Sequence, residues 1–280
     1  IFLYIRRHPE IRDVLLSGGD ALMLSEKRLE EILFKIRSIP SVEIIRIATR
    51  VPVTLPMRIT SQLAEMISKY HPIWLNTHFN HPREITLETA KAVDILIRAG
   101  IPVGSQTVLL RGVNDCPHVI KKLMQGLLKI RVRPYYLFQC DLSSGINHFR
   151  TPIAKGIEII EFLRGHTSGL AVPNYVVDGF GGSGKIPVGP NYLISQSTRG
   201  IVLRNYEGVI SVYPETKDYT FRCNHNKYCQ NELFNSAEGV AGLTTKNGDS
   251  LIVPKNTLRE KRRIKNKSGL KQIEIADWYN

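Results

Sequence analysis

The sequence predicts an α/β protein, a partial (β/α)6 barrel followed by a C-terminal β-containing extension. Three observations lead there. Short apolar, β-branched runs at residues 13–16, 42–48, 73–79, 102–109, 132–139 and 171–177 recur at the length of one βα unit, about 30 residues. Stretches with helical periodicity and recognisable ends lie between them. Polar residues collect immediately after nearly every run.

The elements follow in order. Residues 1–9 read as an amphipathic helix. Ser25 caps a helix running through Ser38, with Glu26 in its first turn favouring the helix dipole. Thr86 caps a longer helix that Gly100 ends. Asp115 caps one with Pro117 near its start; Thr151–Pro152 opens another with proline at the first position, closed by Gly165. The apolar runs are nearly continuous, as strands buried on both faces are. Helix-linked strands in series are parallel with right-handed crossovers. An open doubly wound sheet and a barrel both meet that condition. The polar clusters at Ser17–Asp20, Thr49–Arg50, 76–81, Gln106, 139–141 and Asp178 favour the barrel. A barrel gathers all its strand ends at one mouth, whereas an open sheet uses only those at a switch point. Beyond Gly189, segments 191–195, 200–205 and 208–213 alternate like antiparallel strands. A Cys/His loop, a short apolar segment at 239–243 and a basic tail follow. The expected division is a barrel over 1–189 and an extension over 190–280.

Composition bounds the function. The 280 residues are 42% hydrophobic and 22% charged, ordinary values for a soluble globular protein. No apolar run approaches the roughly 20 residues that span a bilayer, and no segment reads as a secretory signal. The expectation is a cytoplasmic protein without a membrane partner. The chain opens on Ile1 inside a helix, so a further N-terminal region is expected upstream. Four cysteines are too sparse for a disulfide scaffold, which leaves metal or free-thiol roles. Much of the excess behind the net charge of +13 sits in residues 255–271. That run lacks aromatic interleaving, and no RNA-binding motif accompanies it, so it reads as a solvated tail rather than a nucleic-acid interface.

Chemistry concentrates in three places. Lys185 stands in Asp178-Gly179-Phe180-Gly181-Gly182-Ser183-Gly184-Lys185-Ile186-Pro187. Glycines permit positive φ and close approach to a ligand, and their N–H groups suit a phosphate. The nucleotide P-loop is excluded, because Ile186 stands where it requires Ser or Thr. Lys185 is therefore a phosphate-binding charge, an imine-forming nucleophile, or an ordinary surface lysine. Ser17-Gly18-Gly19-Asp20 presents bare amides and carbonyls beside a carboxylate, which suits an amino group needing several oxygen acceptors; a plain turn is the alternative. Asp141 and Asp178 each follow a strand. They suit acid–base work or a cationic side chain, or else serve as caps and turn residues.

These segments occur together in one order: SGGDAL (17–22), LNTHFNHPREIT (75–86), SQTVLLRGVND (105–115), HFRTP (148–152), VVDGFGGSGKIPVGPNYLISQS (176–197) and YEGVI (206–210). In that order, over nearly the whole chain, the sequence resembles the lysine 2,3-aminomutase family of radical S-adenosylmethionine (radical SAM) enzymes. The resemblance implies a radical SAM-type partial barrel and an isomerase that interconverts L-lysine and β-lysine. Another basic amino acid or a protein-bound lysine is the alternative substrate. A non-catalytic basic nucleic-acid-binding barrel is the alternative from another class, and gives no reason for Asp141, Asp178 and Lys185 to coincide.

By the same resemblance, Lys185 matches the lysine that carries pyridoxal phosphate, and Asp141 and Asp178 match the pair that receives the substrate ε-ammonium. Two carboxylates would repel a glutamate-like side chain. Ser17, Gly18, Gly19 and Asp20 match the loop that holds the amino group of S-adenosylmethionine; Gln106, on a strand expected to contact the same cofactor, and His78, at the same mouth, complete the cofactor-binding set. The C-x-x-x-C-x-x-C loop that ligates a [4Fe–4S] cluster is not in this sequence and is expected upstream, so this piece alone is expected to be inactive. Cys116, Cys223, His225 and Cys229 offer a Cys₃His set for zinc, though the spacing of the last three departs from the family's C-x-C-x-x-C. Cys140 reads as a buried thiol. A homo-oligomer served by an external electron donor completes the expectation.

Overall fold

The computed structural model describes residues 1–179, 184–197 and 200–214. The expectations for residues 180–183, for Cys223, His225 and Cys229, and for segments 239–243 and 255–271 lie outside the described residues. The first part alternates strand and helix. Its strands are β1 (Asp13–Leu16), β2 (Ile44–Ala48), β3 (Ile73–Thr77), β4 (Val103–Leu109), β5 (Arg133–Gln139) and β6 (Asn174–Gly179). Its helices are α1 (Phe2–Arg7), α2 (Glu26–Arg37), α3 (Val51–Thr54), α4 (Ser61–Ser68), α5 (Leu87–Arg98), α6 (Pro117–Lys129) and α7 (Ile153–His166).

Strands β1 to β6 pair in sequence order and all in parallel. A doubly wound sheet reverses its strand order at a switch point; this sheet does not. Right-handed crossovers in unbroken order put every helix on one face, so the core forms there and the other face stays concave. Leu29, Leu33, Leu63, Val93, Leu123 and Ile159 on the helices are buried against Ile45, Ile47, Leu75 and Leu137 on the strands. Each such residue is worth about 1.5–3 kcal/mol. The sheet curls enough that Tyr135 on β5 lies within electrostatic reach of Asp13 and Arg46 on β1 and β2.

The near-continuous apolar runs led to an expectation of strands buried on both faces. The structure corrects it. Along β4, Val103, Ser105, Thr107 and Leu109 are buried, while Gly104, Gln106 and Val108 between them are partly exposed. Only one face carries helices, so burial alternates with the pleat.

Helix ends follow local chemistry. Ser25 accepts from the Arg28 N–H at 3.4 Å and Thr86 from that of Thr89 at 3.2 Å, and Thr60 caps α4 in the same way. Gly100, at φ 77°, follows the end of α5. Three expectations are displaced. Cys116 rather than Asp115 is the N-cap of α6, because the Asp115 carboxylate turns back to accept from the Gly112 N–H at 3.0 Å. Pro152 caps α7 rather than opening it. Gly165 lies inside the last turn of α7, where a Cβ would come within 2.2 Å of the Tyr206 ring.

Past β6 the chain doubles back. Strand β7 (Gly184–Pro187) pairs antiparallel with β6 at the sheet edge, a strand that no local pattern announces. Strands β8 (Leu193–Gln196), β9 (Gly200–Arg204) and β10 (Ile210–Pro214) form a separate antiparallel sheet. This agrees with the alternation read there. The Arg204 guanidinium pairs with Glu161 of α7.

Candidate active site

Strand register defines one lateral row across the concave face. Leu15 pairs with Arg46, Arg46 with Trp74, Asn76 with Gly104, Gln106 with Tyr136, Phe138 with Val176, and Asp178 with Lys185. Residues two apart on a strand share a face, so this row runs unbroken from β1 to β7. Gly104 is needed within it: a Cβ there would sit 2.9 Å from Asn76 Oδ1.

At the end of the row the structure brings Lys185 and Asp178 together. As an antiparallel pair they face each other directly, and Lys185 Nζ donates to Asp178 Oδ1 at 3.3 Å. The same nitrogen lies 5.1 Å from the centroid of the Phe138 ring. The lysine side chain is 44% exposed and the aspartate 38%, which places the pair in solvent contact, where an ion pair is worth about 1 kcal/mol or less. It can therefore exchange partners readily.

Asp141 is exposed, two residues beyond the end of β5, the strand beside β6. It shares the C-terminal strand ends with Asp178 but does not contact Lys185 or Asp178 through a hydrogen bond or ion pair. Its approach is fixed by a buried network. Gln139 donates through Nε2 to the Thr151 carbonyl at 2.6 Å and accepts from the Tyr175 hydroxyl at 2.6 Å. The Tyr175 ring occupies the space a side chain would need at Gly156, where a Cβ would lie 2.1 Å from its Cζ. Burial pushes the Tyr175 hydroxyl up to about 12. Cys140 is buried as expected, its thiol pushed up by burial and then by the Asp141 charge.

The Ser17–Asp20 loop differs from its sequence reading in one respect. Gly18 and Gly19 take φ of 98° and 54°, with nothing within 4 Å of where a Cβ would stand, and Ser17 is exposed. Their backbone is open to a ligand. The Asp20 carboxylate is not: Oδ1 accepts from Leu22 N–H at 3.0 Å and from Thr49 Oγ1 at 2.5 Å, and Oδ2 from Arg50 N–H at 2.7 Å. Asp20 is a strap that ties this loop to the end of β2.

His78 is partly buried just past β3, and burial, then the Arg50 charge, hold its imidazole below the usual range. That favours the neutral ring. Its loop is pinned to β4: Asn80 Oδ1 accepts from Val108 N–H at 2.9 Å, and Thr107 Oγ1 donates to the Phe79 carbonyl at 2.7 Å. Fully buried Asn114 donates to the carbonyls of Asn80 and Val108, both at 2.8 Å. Gln106 stands partly exposed in the concave row. Cys116 is exposed and unpaired at the start of α6, and no group of three metal-ligating side chains occurs among the described residues. Phe138, Asn114 and Tyr175 are the residues the sequence reading passed over, and Asn80 was read only as part of the 76–81 polar cluster. The two asparagines carried a signal in that each follows a strand end, Asn80 after β3 and Asn114 after β4.

Fold and site define the class: a partial (β/α)6-barrel protein with a polar, lysine-bearing mouth at the C-terminal ends of its strands. Residues 160–277 match the family model described as Lysine-2,3-aminomutase. L-lysine 2,3-aminomutase of Acetoanaerobium sticklandii is 58% identical over 260 residues, covering 93% of this chain and 62% of the relative. That of Clostridium subterminale is 58% identical over 262 residues, with the same coverage. Glutamate 2,3-aminomutase of Clostridioides difficile is 50% identical over 207 residues, 74% of this chain and 49% of its own. Over 93% of its length the chain is similar to these L-lysine 2,3-aminomutases, and it spans about 62% of the length of the first two relatives. Among described residues no helix is long and apolar enough to cross a membrane.

Proposed function

We propose that this chain supplies the barrel mouth of an isomerase that interconverts L-lysine and β-lysine with pyridoxal phosphate and S-adenosylmethionine. The observation that carries the reading is the junction of Lys185 and Asp178 on the concave face at the strand ends. A primary amine there, at the edge of a glycine-rich run, fits attachment of pyridoxal phosphate. The open Gly18–Gly19 backbone fits the amino end of S-adenosylmethionine. The residues of this sequence do not fit a [4Fe–4S] cluster, since the C-x-x-x-C-x-x-C run that would ligate it is not among them.

When bound, pyridoxal phosphate holds the migrating nitrogen, and S-adenosylmethionine is the source of the hydrogen-abstracting radical. The protein does the rest. Lys185 would hold the cofactor through Nζ, which must shed its proton to act as a nucleophile. Asp178 and Asp141 attract the ammonium of a lysine-type side chain and oppose a carboxylate. Asp20 holds the loop backbone in the geometry a ligand meets. The Asn80–Asn114 network sets the loop that carries His78. The apolar members of the row, Leu15, Trp74, Phe138 and Val176, favour a dry mouth, which radical chemistry requires.

Cys116, Cys223, His225 and Cys229 are proposed as a zinc set, and self-association and an external electron donor as partners. Support for these comes from the family likeness. The test of function is an anaerobic assay of the intact parent protein with L-lysine, pyridoxal phosphate, S-adenosylmethionine and a reductant. β-Lysine is the expected product, formed faster than any product from L-arginine or L-glutamate. Turnover of glutamate in preference to lysine would overturn the reading.

A further inference from the structure

The concave row holds an aromatic ring, Phe138, whose electrostatic face the proposed chemistry does not use. Phe138 lies on β5 with its Cα opposite Val176, two residues before Asp178 on β6. It presents its ring to the Lys185 ammonium at 5.1 Å, while Asp178 meets the same nitrogen at 3.3 Å. A cation within about 6 Å of a ring centroid is attracted by the ring quadrupole. The two contacts come from different strands, β5 and β6, so they describe a position in space and not merely a preference of one side chain.

We propose that Phe138 and Asp178 together form the seat for the side-chain ammonium of the substrate, with Lys185 showing that seat filled by an ammonium on four methylenes. The inference rests on the proposed lysine-type substrate, and adds Phe138 as a specificity-determining residue. A carboxylate supplies attraction to any cation. The ring adds a demand that a neutral or anionic side chain cannot meet, since its negative face repels a carboxylate. Lys185 vacates the seat when its nitrogen is attached to the cofactor, which leaves Asp178 and the ring free for an incoming ammonium.

The experiment uses the intact parent protein loaded with pyridoxal phosphate, titrated calorimetrically with L-lysine and with L-norleucine, which resembles it in shape but has no ammonium. Phe138→Leu is expected to weaken L-lysine binding about 3–30-fold, the range of a partly exposed cation–π contact, and to leave L-norleucine unchanged. Phe138→Tyr is expected to retain the preference. Site-specific fluorination of the Phe138 ring, which drains its negative face with little change of shape, should reduce the preference stepwise and guards against a misfolded leucine variant. Equal weakening of both ligands, or a lysine-to-norleucine ratio untouched by fluorination, would overturn the role of Phe138. An unmodified protein that does not prefer L-lysine over L-norleucine would overturn the substrate reading itself, so the two failures are distinguishable.

Discussion

Replacing Asp20 by asparagine separates a strap from a ligand. The carboxylate accepts three hydrogen bonds, from Leu22, Thr49 and Arg50. Hydrogen bonds to a charged group are worth about 1.5–3 kcal/mol each. Asparagine keeps one oxygen and sets an NH₂ against donors already in place, so at least one bond is lost and one donor is left facing another. The expected cost is about 2–4 kcal/mol, or roughly 5–15 °C in Tm for a chain of this size. Thermal unfolding followed by circular dichroism reads the first effect, and equilibrium binding of S-adenosylmethionine the second. Affinity is expected to fall along with Tm, because Gly18 and Gly19 lose the anchor that holds their backbone. Asp20→Glu should not rescue, since the extra methylene displaces all three contacts. An unchanged Tm with abolished binding would refute the strap and return the carboxylate to direct contact with the cofactor.

Gly156→Ala pits helix propensity against space. Alanine gains about 1 kcal/mol in a helix, but its Cβ would meet two ring carbons and the hydroxyl oxygen of Tyr175 at 2.1–2.5 Å, and that side chain is anchored on Gln139. Overpacking should win, with a net loss of about 1–3 kcal/mol in urea unfolding; a stabilised variant would show that the ring moves freely. The unfolded chain sheds the Tyr175 proton near pH 10 and the native chain near 12. Its contribution is therefore full below pH 10 and lost across 10 to 12, about 2–3 kcal/mol in all. Tyr135, also raised to about 12, shares the window, so Tyr175→Phe should flatten the decline only in part; an identical decline in the variant contradicts the assignment. For zinc, metal analysis of the purified protein should find about one zinc per chain, falling in Cys116→Ser; equal zinc in both excludes Cys116.

Much of the barrel was legible in the sequence because β-branched runs and capping residues are local signals. Five of the six parallel strands lie within the runs read for them, and β6 runs two residues past its own, taking in Asp178; Ser25 and Thr86 cap where expected. Strand β7 was not legible. Its Gly-Lys-Ile-Pro carries a glycine, a proline and a single apolar residue, and it is a strand only because β6 offers an edge. The open concave face was missed for a related reason: an apolar run does not reveal whether helices cover one side or both. That same blindness hid Phe138 among residues read as core. Asp178 and Lys185 were singled out as strand-end and glycine-flanked residues, and an antiparallel register that no local pattern encodes set them opposite each other. Asp20 was found by its position, but its bonds to Thr49 and Arg50 were not legible, because those partners come from the next strand end.

Borohydride reduction of the pyridoxal phosphate-loaded protein, followed by peptide mass mapping, tests the central claim most directly. The predicted result is a stable pyridoxyl adduct on the peptide bearing Lys185, absent from Lys185→Ala together with the bound-cofactor absorbance. An adduct on a different lysine, or a Lys185→Ala protein that retains its full complement of cofactor, would contradict it.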